Sequence, residues 1–65
     1  MTTIDYFITD AGQTVEVSAD SFWDARRQAL SLDNAGVGDI IVDRYVDQEL
    51  DGTYYTVEDH RLVRH

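Results

Sequence analysis

The chain has 65 residues, no Cys, and 13 acidic against 5 basic side chains, for a net charge of −8. That length allows one domain, residues 1–65, which buries only about 60% of the surface its unfolded chain exposes. Absent Cys excludes disulfides and thiolate metal sites, no apolar run reaches the ~18 residues that cross a bilayer, and the charge repels nucleic acids and anionic membranes.

The pattern predicts strand, strand, helix, strand, strand and a last short strand. In TIDYFIT, Ile4, Tyr6 and Ile8 face one way and Asp5, Phe7 and Thr9 the other. DAGQ at 10–13 reads as a turn with Gly12 free to take positive φ, and TVEVS resumes the alternation with Val15 and Val17 on one face. A helix follows. Ser18 serves as its N-cap, with Val17 and Phe22 as a hydrophobic staple, or Ser21 does, with Asp24 completing a capping box. Phe22, Ala25, Ala29 and Leu32 recur at helical spacing, and the stretch from Asn34 to Gly38 ends the helix.

DIIVDRYV is β-branched and reads as a strand, with Ile40, Val42 and Val46 on one face and Ile41, Asp43, Tyr45 and Asp47 on the other. Arg44, in register with the apolar face, is expected at a sheet edge, paired with an Asp. Asp51-Gly52 reads as a hairpin turn before the strand TYYTV, EDH at 58–60 as a tight turn, and RLVR as a closing strand. The expected fold is α+β: a small antiparallel sheet of four or five strands, ββαββ(β), with a single helix on one face. The other face is left to solvent or a partner.

Residues 47–58, DQELDGTYYTVE, come close to the calcium-loop pattern, with Asp47, Glu49, Asp51, Gly52 and Glu58 in its ligand and turn positions. The preceding segment is a strand by composition, and only seven residues follow Glu58, so the flanking helices of such a loop are missing. A hairpin accounts for the same residues. His60 and His65, with no Cys, make a poor zinc pair, and Gly36-Val37-Gly38 lacks the Lys of a phosphate loop. No Ser or Thr has a spaced His and Asp partner, so the expectation is a protein without enzymatic activity, cofactor or metal.

The acids are the outlying feature: ten are Asp, three are Glu, and all five bases are Arg. Asp43, Asp47 and, if the strand runs on, Glu49 would project from one strand face beside Tyr45 at about 6.7 Å spacing. That is close to the ~7 Å between every second phosphate of a DNA strand. Asp33, Asp39, Asp51, Glu58 and Asp59 lie in turns that would extend this field. The plainer alternatives are a solvated strand face, or a surface suited to high salt. Trp23, with Arg26 and Arg27 one turn away, reads either as local helix support on the core rim or as a partner contact.

The stretch VEVSADSFWDARRQAL resembles a pattern in small phage and mobile-element proteins, where a strand enters a helix through a Ser/Ala/Asp cap. Size, a lone helix on a small sheet, absent Cys and strong acidity together resemble the small anti-CRISPR inhibitors, several of which mimic nucleic acid against type I surveillance complexes. The resemblance implies a monomeric, non-enzymatic inhibitor in the host cytoplasm. It would bind a basic nucleic-acid-binding surface of a CRISPR effector subunit, and neither nucleic acid itself nor a membrane. The alternative is a structural or interaction module of a phage or halophile, antitoxin-like or a virion accessory, whose acidity serves solubility. Such inhibitors share no universal motif, so the residues named for the partner surface rest on their expected exposure: the eight acids, with Trp23 and Tyr45 as secondary contacts. The N-terminus shows no basic segment followed by an apolar one, which is consistent with a soluble protein.

Overall fold

A computed structural model describes the backbone of residues 2–10 and 13–65, and the side chains of these except 13–17. The turn read at 10–13 around Gly12, and the facing of Val15 and Val17, lie outside the described residues. The elements are β1 (Ile4–Asp10), β2 (Gln13–Ala19), α1 (Phe22–Asn34), β3 (Ile40–Val46), β4 (Glu49–Glu58) and β5 (Arg61–Arg64). The five strands form one antiparallel sheet in the order β2-β1-β3-β4-β5. The helix crosses from β2 over β1 to β3 and covers one face. The fold is α+β, as the alternation and the single helical pattern predict.

Period-two alternation decides which residues meet the helix. Ile8 and Val42 are completely buried, and Tyr6, Ile40 and Tyr55 join them. From α1 come Ala25 and Ala29, also completely buried, while Phe22 and Leu32 close the sides. Two alanines at i, i+4 let the helix approach the sheet closely, so a few large side chains fill the space between the layers. Rings of Tyr6, Phe22 and Tyr55 pack at centroid distances of 5.3–6.5 Å.

The helix begins at Ser21, whose hydroxyl accepts the Asp24 N–H at 3.1 Å. Ser18 is not the cap, because β2 continues through Ala19. The Asp24 carboxylate turns to Arg27 and Gln28 instead of closing a capping box. At the other end Gly36, at φ 88°, sends the chain back: its N–H donates to Asp33 O and the Val37 N–H to Leu32 O. This is the Schellman arrangement, and Val37 and Leu32 both pack on the core as that motif favours.

The β3–β4 hairpin differs from the sequence reading. Its turn is Asp47-Gln48, both at positive φ, between the paired residues Val46 and Glu49. Such mirror-image turns match the right-handed twist of a hairpin. The turn is held to β1, since the Asp47 carboxylate accepts the Thr3 N–H at 2.9 Å and its own N–H donates to Thr3 O at 2.8 Å. Asp51-Gly52 forms a bulge inside β4: residues 51–53 all stand opposite Arg44 between the Tyr45–Leu50 and Asp43–Tyr54 pairs. Gly52 takes the positive φ, 89°, that a bulge of this kind requires. Asp59-His60 make the second two-residue positive-φ turn, where the sequence placed one.

Candidate partner-binding surface

Two surfaces gather the acids. The first is the sheet face opposite the helix. Cross-strand partners share a face, so the register places Asp5 beside Tyr45 and Leu50 in one row, and Phe7, Asp43 and Tyr54 in the next. A third row carries Thr9, Ile41, Thr56 and Val63. No described element covers this face. Leu50 is 61% and Tyr54 41% exposed, and Phe7, Ile41, Asp43 and Tyr45 are half-buried against one another. The Phe7 and Tyr45 rings meet edge to face at 6.3 Å, and Tyr54 stacks on His65 at 4.9 Å.

The proposed carboxylate row along β3 is shorter than its sequence implies. Asp43 and Tyr45 do share the open face. Asp47 leaves it, because the turn at Asp47-Gln48 ends the strand at Val46. Glu49 pairs with Val46 and so points to the helix side. Asp51 also points to the helix side, where two Arg44 N–H groups converge on one of its oxygens, the Nε at 2.9 Å. Asp43 instead finds a neighbour across strands: Asp5 on β1 is its diagonal partner, about 7–8 Å away by strand geometry. Alternation in TIDYFIT already put Asp5 on this face, but nothing in the sequence indicated that β1 lies beside β3.

The second surface is one end of the molecule. Continuing the β3–β4 register by two pairs beyond Ile41–Thr56 sets Asp39 opposite Glu58. Asp59 lies in the following turn, and His60 Nδ1 lies 2.7 Å from an Asp33 oxygen, joining that turn to the end of the helix. Asp33 lies in the last turn of the helix and not in a loop as its sequence context suggests, so Asp33, Asp39, Glu58 and Asp59 come from the helix end, the α1–β3 connection and the β4–β5 hairpin end. Asp33 also sits at the negative end of the helix dipole, whose last turn holds no basic residue. This end thus concentrates negative charge against local electrostatic preference. The Glu58 carboxylate accepts the Thr56 hydroxyl at 3.0 Å and lies 3.8 Å from His65 Nε2.

Pairing separates committed acids from available ones. Arg27 holds the Asp24 carboxyl below the usual carboxylate range, and Arg44 does the same for Asp51. Arg44 lies on the central strand β3 and not at a sheet edge, though paired with an Asp as expected; the Tyr6 phenol near it is pushed up chiefly by burial. Among the described residues, Asp5, Asp20, Asp39, Asp43, Glu49 and Asp59 have no side-chain hydrogen bond or ion pair. Trp23 is 73% exposed and meets the Phe22 ring edge to face, 5.6 Å between centroids, so it stands outside the core rim.

The calcium-loop pattern dissolves in this geometry. Its twelve residues form a two-residue turn and a ten-residue strand, which spreads Asp51 and Glu58 along β4 and not around one point. Among the described residues no three His, Asp or Glu side chains are grouped to hold an ion, and no helix is long and apolar enough to cross a membrane. No protein-family model, curated protein or solved structure matches the chain.

Proposed function

We propose that this protein is a non-enzymatic acidic inhibitor that covers a basic, nucleic-acid-holding surface of another protein. The observation that carries the reading is the set of six carboxylates without a partner among the described residues, on so small a body. The molecule measures 37 × 21 × 18 Å with a net charge of −8. A 37 Å length of duplex carries roughly 22 phosphate charges, and one strand of it roughly 11. The charge along the protein is thus of single-strand order, on a body as long as about one duplex turn. Arg and Lys side chains that hold a nucleic-acid backbone would meet carboxylates at comparable intervals.

The target class is a type I CRISPR surveillance complex in the host cytoplasm, as the resemblance to anti-CRISPR inhibitors implies. Binding competes for the basic groove and blocks DNA loading. Association is fast and salt-sensitive, because exposed charges steer encounter. The test is a DNA-loading assay on that complex. Added protein should reduce loading, and joint reversal of Asp5, Asp43 and Glu49 to Arg, all on strands and none at a positive φ, should restore it with the circular dichroism spectrum unchanged. Undiminished inhibition by the reversed variant removes charge competition as the mechanism.

A second reading has its own support. Asp-rich, Lys-free composition suits solubility at high salt, and the unpaired acids lie on several sides of the molecule. On that reading the protein is an interaction module of a phage or halophile, Trp23→Ala weakens its partner binding more than charge reversal does, and the folded state gains stability in molar salt.

A further inference from the structure

We infer that the open sheet face is an arginine-binding surface, where Asp5 and Asp43 receive guanidinium groups of a basic partner protein and Phe7, Tyr45 and Tyr54 supply ring faces. The inference rests on the acidic-inhibitor reading and names the chemistry of its contact.

The argument begins with alternation of chemistry on that face. In one row Asp5 adjoins Tyr45, and in the next Asp43 stands between Phe7 and Tyr54. Each unpaired carboxylate therefore has aromatic neighbours in its own row. A shallow depression of about 500 Å³ opens there, lined by Asp5, Tyr6, Phe7, Ser18, Tyr45 and Gln48. A planar guanidinium suits such a place: it stacks on a ring while giving a carboxylate two parallel hydrogen bonds. An ammonium group is a more strongly hydrated point charge and gains less from the rings. Asp43, half-buried beside these rings and without a partner among the described side chains, is available to a guanidinium.

Other occupants fit less well. Ring faces on a sheet also stack nucleic-acid bases, but phosphates would approach Asp5 and Asp43 in a chain of net charge −8. A second copy would bring its own −8 and set the same carboxylates against each other, with Arg61 the basic residue whose register places it on this face. A partner rich in Arg complements both the rings and the charge.

The test is a titration of ¹⁵N-labelled protein with oligoarginine and oligolysine peptides of equal length at about 0.1 M salt. Oligoarginine should bind several-fold more tightly than oligolysine, with amide shifts centred on residues 5, 7, 43, 45 and 54. Asp5→Asn and Asp43→Asn should each weaken oligoarginine binding by about tenfold, the scale of one charge-assisted hydrogen bond. Tyr45→Leu should abolish the preference for arginine. Equal binding of both peptides, with shifts at residues 33, 39 and 59, overturns this surface while leaving the acidic inhibitor standing. Binding of neither peptide overturns both. A dimer in sedimentation that Tyr45→Leu converts to monomer assigns the face to a second copy and overturns the inference.

Discussion

The two faces of the sheet are built from alternate residues of the same strands, yet they differ in what surrounds them. On the covered face Ile8 and Val42 lose all contact with water, and the Arg44 guanidinium is matched by Asp51. On the open face Ile41 and Phe7 stay half-buried, and Asp5 and Asp43 have no partner among the described side chains. Where the helix covers it, that face buries its apolar side chains and so stabilises the fold. The open face keeps Leu50 and Tyr54 exposed and leaves Asp5 and Asp43 without a partner among the described side chains, as the proposed contact requires.

Paired substitutions measure that difference. Ile8→Ala removes a fully buried side chain and should cost about 2–5 kcal/mol in urea denaturation, enough to leave much of so small a domain unfolded. The same change at Ile41, one face over, should cost about 1 kcal/mol, in line with its partial burial. Equal losses would mean that both faces are core. Gly52→Ala should cost about 1–2 kcal/mol, from the positive φ and not from crowding, since no atom lies within 4 Å of the added methyl.

Smaller effects sharpen the contrast between charges. Asp51 is held down by Arg44, so the unfolded chain takes up its proton at a higher pH than the folded protein does. The stabilisation is present above roughly pH 4 and is lost as pH falls through the lowered folded value. An NMR titration of the Asp51 carboxyl should show its midpoint rise in Arg44→Gln, and an unmoved midpoint removes the pair from the acid limb. Asp43→Asn should change stability by no more than about 0.5 kcal/mol, because no pairing is broken. A larger loss would show that Asp43 serves the fold.

Local rules made most of the fold legible. Alternation in TIDYFIT and IIVDRYV identified both faces, and the spacing of Phe22, Ala25, Ala29 and Leu32 identified the helix and its buried stripe. Ser18 and Ser21 were equivalent as caps by residue type, and strand pairing that holds β2 through Ala19 chose Ser21. Asp51-Gly52 has the chemistry of a turn and of a bulge alike. Only the competing turn at Asp47-Gln48, anchored on Thr3, makes it a bulge. That one shift moved Glu49 off the open face and Asp47 into a loop, so the acidic row along a single strand was lost. The Asp5–Asp43 neighbourhood could not be read because it depends on strand order, a long-range property. The gathering of Asp33, Asp39, Glu58 and Asp59 at one end depends on the helix end meeting the β4–β5 hairpin end in space, and was not legible for the same reason.

The most direct test of the central claim is capture and release. Immobilised protein should retain a nucleic-acid-binding protein from host lysate at low salt, and duplex DNA added at constant ionic strength should elute it. The variant with Asp5, Asp43 and Glu49 reversed to Arg should retain none. A partner that stays bound through both excess DNA and high salt, and binds the reversed variant equally, would contradict the account.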